Sequence, residues 1–209
     1  MPEEVKEKES IVLGSGKVYA TEFIGKVPDK EELCQESNRV GYVSGGATLD
    51  YKPTYQTVKD DLGYIMKTIL TDEEASLKTG VMTFNANKLK MLCATGRIID
   101  SKDGKTRTLK IGGLGNADGK QYAICFHHED KIDGDIWIII VGQNQNGFSL
   151  AFAKDKETIV DAEFKALVQD EDGTLIQYIE EIKSDDTAVP ATLSETQAQP
   201  AQTKSTSKS

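Results

Sequence analysis

Five Asn-Gly or Asp-Gly pairs divide the second half of the chain. They are Asp103-Gly104, Asp118-Gly119, Asp133-Gly134, Asn146-Gly147 and Asp172-Gly173. Asn or Asp followed by Gly tolerates the positive φ that both central residues of a type I′ turn require, and that turn joins antiparallel strands. Residues of β-branched, aromatic or alternating apolar character flank each pair. The pattern therefore predicts a mainly β, antiparallel protein that repeatedly doubles back on itself.

Alternation of apolar and polar residues predicts the individual strands. We expect strands over residues 17–24, 48–52, 62–70, 106–111, 121–127, 135–141 and 148–152. A last hairpin is predicted to pair residues 157–167 with 174–181 around Asp172-Gly173. In its first strand the apolar residues from Val160 to Ala166 face a core, whereas Asp161 and Glu163 share the opposite face.

One short α-helix is predicted at about residues 87–95. Asn87 suits the N-cap position, and Gly96 suits the position after the last turn. Leu89, Leu92 and Cys93 share one face at helical spacing, so we expect them to anchor the helix on the sheet core. The preceding residues 75–83 alternate in character, which favours a strand there over a second helix.

The composition limits the possible functions. A formal net charge of −9 disfavours broad binding to nucleic-acid phosphates through a basic face. Cys34, Cys93 and Cys125 are far apart, and the last two are predicted to be buried reduced thiols. This indicates no disulfide framework and an intracellular folding environment. With no signal-peptide pattern and no apolar run long enough to span a bilayer, we expect no membrane association.

The chain divides by composition into three parts. Residues 1–10 are charged and mixed in sign, and we expect a flexible N-terminus there. Residues 11–182 carry the strand patterns and form the folded domain. Residues 183–209 are rich in Ser, Thr, Ala and Gln and contain no aromatic residue. Such a segment cannot bury enough apolar surface to offset the entropy of ordering, so we predict a disordered tail.

Motifs for catalysis, cofactors and metals are weak in this sequence. His127 and His128 are neighbours on a predicted strand, so their side chains point to opposite faces and do not share one ion. The glycine-rich residues 112–119 lack dinucleotide-binding spacing and precede a strand pattern rather than a helix. No nucleophile elbow occurs. We therefore predict no catalytic residue, no cofactor and no metal site, and a protein that is not an enzyme.

Several stretches taken in order resemble a known family. They are VLGSGKVY (12–19), GGATLDYKPT (45–54), VKDDLG (58–63), LKTGVMTF (77–84), SLAF (149–152), DAEFKA (161–166) and DGTL (172–175). This ordered set resembles the major tail tube proteins of long-tailed, non-contractile bacteriophages and of related prophages in Gram-positive hosts. The resemblance covers residues 11–182 and implies an antiparallel β-sandwich or barrel-like tail tube fold flanked by the short helix.

The resemblance also implies a function and partners. Copies of the chain would form hexameric rings that stack into a hollow tube for DNA ejection, in the tail of a virion assembled in the host cytoplasm. The tape measure and tail terminator proteins would be further partners, and DNA would pass without specific binding. An acidic lumen would repel phosphate. Candidates for lining it are Asp50, Asp161 and Glu163, which could instead lie on the outer wall or in an intersubunit salt bridge.

A second function class remains open at this point. A β-sandwich could be a carbohydrate-recognition module, in which the Asx-Gly loops and Trp137 would contact a glycan. The two classes differ in solution behaviour, because a tube subunit forms rings or tubes at high concentration whereas a recognition module stays dispersed and binds sugars.

Overall fold

A computed structural model describes residues 14–62, 64, 66–81, 85–150, 152, 154 and 158–183. The predicted flexible N-terminus and residues 184–209 of the predicted tail lie outside the described residues. The strands are β1 Lys17–Glu22, β2 Arg39–Lys59, β3 Met66–Val81, β4 Arg97–Asp100, β5 Arg107–Lys110, β6 Tyr122–His128, β7 Ile136–Asn144, β8 Val160–Leu167 and β9 Ile176–Glu180. The helices are α1 Lys30–Leu33 and α2 Ala86–Met91, with 3₁₀ turns at Glu36–Asn38 and Leu114–Asn116.

The main sheet closes on itself. Strands β1, β2, β3, β8, β7 and β6 pair in that order, each antiparallel to the next, and β6 pairs back with β1. Closure removes the unpaired edges that an open sheet would present. β4 and β5 form a separate hairpin. The prediction of a mainly β, antiparallel, barrel-like fold is confirmed.

Strands β8 and β9 lie end to end along one edge of β7. β8 ends with Leu167 opposite Val141, and β9 begins with Ile176 opposite Ile140. Residues 168–175 connect the two strands and do not pair with β7. The predicted hairpin of residues 157–167 with 174–181 is therefore wrong, because both strands pair with β7 and not with each other.

The side chain of Gln169 lies between the end of β8 and the start of β9, where the chain does not pair with β7. This residue is only 6% exposed. Its amide nitrogen donates to the Leu175 carbonyl oxygen at 2.8 Å, and its amide oxygen accepts from Gln177 at 2.9 Å. Buried polar groups need such partners, so one glutamine satisfies backbone and side-chain groups that strand pairing leaves open.

Two apolar cores lie on the two sides of the sheet. The inner core fills the barrel and takes residues from all six of its strands, among them Val18, Val40, Leu77, Ile124, Ile140 and Phe164. The outer core is formed by Tyr19, Leu33, Ala123, Cys125, Ile139 and Val141. Because β6 and β7 contribute to both cores, their sequences are nearly continuous apolar runs rather than alternating ones.

Helix α2 begins earlier than the sequence pattern predicts. Asn85, not Asn87, is the N-cap, and its side-chain oxygen accepts from the Lys88 N–H at 3.0 Å. Gly96 does not have the left-handed backbone expected after the last turn. The helix therefore spans Ala86–Met91 rather than residues 87–95. The structure also contains a second short helix, α1, whose four residues are too few to produce a detectable periodicity.

The five Asx-Gly pairs turn the chain differently from the prediction. The glycine of each pair has positive φ, but among the described residues no residue other than glycine does. Type I′ turns are therefore excluded at these sites, since they need positive φ at both central positions. The Asx-Gly turns at Asp103, Asp133 and Asn146 each lie between two strands that are hydrogen-bonded to each other. The turns at Asp118 and Asp172 lie between strands that are not neighbours in a sheet. The predicted strand at 148–152 is also wrong: Phe148, Ser149, Leu150 and Phe152 are irregular.

Candidate assembly surfaces

The hairpin of β2 and β3 continues beyond the barrel as a two-stranded arm. We define the arm as residues 51–59 and 66–74, which pair from Lys52 opposite Glu74 to Lys59 opposite Met66. β1 pairs with β2 only as far as Tyr42, and β8 pairs with β3 only as far as Ser76. Every side chain of the arm is exposed. Within the described chain, nothing covers either of its faces.

Large apolar side chains are distributed over both faces of the arm. Directly opposite residues share a face, so Tyr55 lies beside Leu70 on one face and Ile69 lies beside Gln56 on the other. The exposed apolar residues of the arm and its tip are Tyr51, Tyr55, Val58, Leu62, Tyr64, Met66, Ile69 and Leu70. Isolated two-stranded hairpins are marginally stable in water, and several large apolar side chains exposed on one element are typical of protein–protein contact sites.

The three predicted lumen residues lie together on the outward face of strands β2, β3 and β8, which we call the polar wall. Val160, Ala162 and Phe164 are buried, so Asp161 and Glu163 point outward as the alternation predicts. On β3, Leu77 and Val81 point into the inner core and Lys78 points outward. Asp50, Asp161 and Glu163 therefore share one surface. Whether that surface lines a lumen stays a prediction.

Lys78 stands between two of these carboxylates. Its ammonium nitrogen is 2.8 Å from Asp50 Oδ2 and 3.5 Å from Glu163 Oε1. The hydrogen bond and charge of Lys78 lower the pKa of Asp50, and the same bond raises the pKa of Lys78. Glu163 also accepts from Ser76 at 3.3 Å and from Asn146. Lys78 is a functional candidate that no sequence motif indicates, although the alternation of β3 could have placed it on this face.

A cavity of about 590 Å³ opens beside the polar wall. It lies where β2 bulges, because the register passes from Ser44 opposite Gly80 to Ala47 opposite Thr79 and leaves Gly45 and Gly46 unpaired. Both glycines have the left-handed backbone, and a Cβ on Gly46 would lie 2.3 Å from the Gly14 carbonyl oxygen. Lys78, Asn146, Asp161 and Glu163 line the cavity, so its polar groups come mainly from the polar wall.

The helix anchors differ in how deeply they pack. Leu92 is 4% exposed and belongs to the inner core, and half-buried Leu89 packs against it. Cys93 is also half-buried, and its sulfur donates to the Leu89 carbonyl oxygen at 3.0 Å. Leu92 and Leu89 are thus placed as predicted, whereas Cys93 is not one of the buried core residues. Of the two cysteines predicted to be buried, only Cys125 is.

Trp137 is surrounded by side chains of its own chain. The Lys30 ammonium lies 3.9 Å from the ring centroid, and the His127 ring stacks on it with centroids 4.9 Å apart. His127 Nε2 in turn lies 2.9 Å from Asp135 Oδ2. This packing disfavours Trp137 as a platform for a sugar ring.

The two histidines point to opposite sides of β6. His127 stacks on the outer side, whereas His128 is buried and its Nδ1 lies 2.5 Å from the Ser15 carbonyl oxygen. In the described part of the chain, no three His, Cys, Asp or Glu side chains come together as a metal site.

The comparisons with known proteins add no assignment. Neither the protein-family models nor the curated proteins that were searched contain a match to this chain. Among the described residues, no helix combines the length and apolar character needed to cross a lipid bilayer. The arm and the polar wall are therefore the features from which a function can be inferred.

Proposed function

We propose that this chain is the structural subunit of a bacteriophage tail tube, in which copies assemble into hexameric rings that stack into a conduit for DNA. The arm is the observation that carries the proposal. It extends both strands of a hairpin beyond the barrel and exposes apolar residues on both faces. In a lone chain this surface stays in contact with water, whereas a second copy packed against one face of the arm would bury Tyr55 and Leu70 together.

The arm also supplies unpaired strand edges. Its two strands pair with each other, and within the described residues no third strand reaches them. Exposed edges are hazards in a monomer, but a ring of identical copies closes on itself and can cover each edge with the next copy. Repeated self-association is the function that best uses an element with this geometry.

The polar wall supports the second half of the proposal, the passage of DNA. Three carboxylates, Asp50, Asp161 and Glu163, share this surface with two ammonium groups, those of Lys78 and of Lys165 on the same face of β8. The wall is therefore net negative. In a hexameric ring each position repeats around the axis, and its field extends about 8 Å in physiological salt. Such a lining repels phosphate, so DNA would slide through rather than bind.

The arm is tested with one matched pair of substitutions. Leu70→Glu places a charge on the arm, and Leu114→Glu places the same charge on a 3₁₀ turn, where the residue is already 94% exposed. We expect wild type and Leu114→Glu to form rings or tubes in negative-stain electron microscopy at high concentration. Leu70→Glu should keep the β circular dichroism spectrum but remain monomeric. Tubes of Leu70→Glu, or a wild type that stays dispersed, would contradict the proposal.

The polar wall is tested by charge reversal in the assembled phage. Asp161→Lys should permit tubes of normal length but slow DNA ejection, because it replaces a repelling charge with an attracting one. Asp50→Lys and Glu163→Lys should do the same and additionally lose their pairing with Lys78. Loss of assembly would identify an intersubunit contact instead. Unchanged assembly and ejection in all three variants would place the wall outside the tube.

A further inference from the structure

Two cysteines that are distant in sequence meet at the outer core. Cys34 directly follows α1, and Cys125 lies on β6, 91 positions later. Their sulfur atoms are 3.6 Å apart. Cys125 is fully buried, whereas Cys34 is only partly buried and is therefore reachable from solvent. The third cysteine, Cys93, follows α2 and contacts the Leu89 carbonyl instead.

The segment that carries Cys34 is held on the barrel by a small number of side chains. Leu33 is fully buried in the outer core, and Phe23 and Val27 pack around it. Lys30 adds its contact with Trp137. A disulfide needs its sulfur atoms about 2.0 Å apart. The four-residue helix can supply this short approach, since it is attached by loops at both ends, whereas Cys125 is fixed in a central strand.

We propose that Cys34 and Cys125 form a dithiol site that a low-molecular-weight disulfide, such as oxidised glutathione, converts into an intramolecular disulfide that fastens α1 to the barrel. This inference is independent of the tail tube proposal. A disulfide is not expected from the sequence, because the spacing of the two cysteines carries no signal and only the packing of α1 on β6 brings them together.

The reaction proceeds by two thiol–disulfide exchanges. The Cys34 thiolate attacks oxidised glutathione, forms a mixed disulfide and releases one glutathione thiolate. Cys125 then attacks the Cys34 sulfur, its proton passes to the departing second glutathione thiolate, and the protein disulfide closes. Two protein thiols and one glutathione disulfide thus become one protein disulfide and two glutathione thiols.

The surroundings of the two sulfurs set this order of attack. The hydrogen bond from Cys125 lowers the pKa of Cys34, against a smaller opposing effect of burial. The same contact, together with burial, raises the pKa of Cys125. The accessible thiol is thus the one that ionises more readily, and ionised, accessible thiols are the ones that react with small disulfides. The buried thiol is positioned to resolve the mixed disulfide.

The experiment uses full-length Cys93→Ser, so that only the proposed pair remains. After native incubation with oxidised glutathione, we expect an intact mass lower by two hydrogen atoms and no retained glutathione. The matched Cys93→Ser/Cys125→Ser variant should instead retain one glutathione on Cys34. A stable glutathione adduct on Cys93→Ser itself, or two thiols that remain unmodified, would overturn the proposal whether or not the double variant folds.

Thermal unfolding of the same sample measures whether the bond fits the native fold. Closing a loop of this length should raise the unfolding midpoint of oxidised Cys93→Ser by roughly 5–10 °C over its reduced form, and a reducing agent should reverse the rise. The fluorescence of Trp137, the only tryptophan in the chain, should change on oxidation because Lys30 on α1 lies against its ring. An unchanged or lowered midpoint would show that the disulfide distorts the native state, which would refute the site.

Discussion

Two antiparallel strand pairs of this domain have opposite surroundings. β6 and β7, which we call the covered wall, have the inner core on one face and α1 with its flanking residues on the other. The arm of β2 and β3 is exposed on both faces. Backbone pairing runs the length of both regions, without a shift in the covered wall and with one bulge, at Thr71, in the arm. What distinguishes them is the apolar surface that each pair removes from water within one chain.

The difference indicates which region belongs to the monomer and which to an assembly. Fully burying an Ile, Leu or Val side chain contributes about 1.5–3 kcal/mol, and Ile139, Ile140 and Val141 are all fully buried on neighbouring positions of β7. The arm buries no comparable side chain. We therefore expect substitutions in the covered wall to change folding stability and substitutions in the arm to change association.

The largest expected effect contrasts the same substitution in both regions. Leu33, the last residue of α1, is 0% exposed because it packs on the covered wall, and Leu70 is 44% exposed on the arm. Leu33→Ala should reduce the free energy of unfolding by about 2–5 kcal/mol, because it leaves a cavity in the outer core. Leu70→Ala should cost less than about 1 kcal/mol. Urea titrations of dilute, unassembled protein measure both values, and equal losses would abolish the distinction between the regions.

The next effect concerns the inner side of the barrel. Leu92→Ala should reduce the free energy of unfolding by about 2–4 kcal/mol, because Leu92 is buried in the inner core. Leu89→Ala should reduce it by about half as much, because Leu89 is half-buried. Chemical denaturation compares the two midpoints. A larger loss for Leu89 than for Leu92 would show that α2 is rotated on the barrel.

A smaller effect is expected at the bulge of β2, which lies within the barrel at Gly45 and Gly46. Gly46 has a left-handed backbone, and a Cβ added there would clash with the Gly14 carbonyl oxygen. Gly46→Ala should therefore reduce the free energy of unfolding by about 1–3 kcal/mol. Gly45→Ala has similar backbone strain but open space around its Cβ, so it should cost about 1 kcal/mol. Thermal unfolding of the two variants tests the order. A reversed order would mean that the arm, and not the Gly14 contact, determines the conformation of the bulge.

The smallest effect concerns the turn that interrupts the strands beside β7. Bonds from Thr174 and neighbouring N–H groups lower the pKa of Asp170. A carboxyl whose pKa is lowered on folding stabilises the protein above its unfolded value of about 3.9, and the benefit is lost as pH falls through the folded value. Asp170→Asn should therefore lower the urea midpoint slightly near neutral pH, and the difference from wild type should shrink on acidification. A difference that grows in acid would contradict this origin.

The sequence predicts the class of fold and the faces of individual strands, because both depend on neighbouring residues. Alternation along β8 correctly puts Asp161 and Glu163 opposite the core residues. The Asx-Gly pairs correctly indicate frequent reversals, but not their turn type or which strands pair. Register along β7 is a long-range property, so local signals at Asp172-Gly173 could not distinguish a hairpin from two strands placed end to end.

The arm and the Asp50–Lys78–Glu163 contacts could not be predicted from the sequence, for physical reasons. β2 contains Pro53 and the Gly45-Gly46 bulge, residues that normally interrupt a strand, and a hairpin exposed on both faces has no buried side to produce alternation. Lys78 meets Asp50 only when β2 and β3 are paired in this register. The contact of Cys34 with Cys125 likewise needs α1, a helix too short to predict.

Residues 168–175 offer the domain a position at which foreign sequence can be added. β8 and β9 are each aligned on β7 independently, so extra residues at Asp172-Gly173 lengthen an excursion without displacing either strand. Both residues of this tip are exposed, and Gln169 anchors the base. Because doubling a loop costs only about 0.6 kcal/mol of closure entropy, an inserted epitope or enzyme-recognition peptide should be displayed without unfolding the barrel. In a multi-copy assembly, such a graft would convert the protein into a regularly spaced display scaffold.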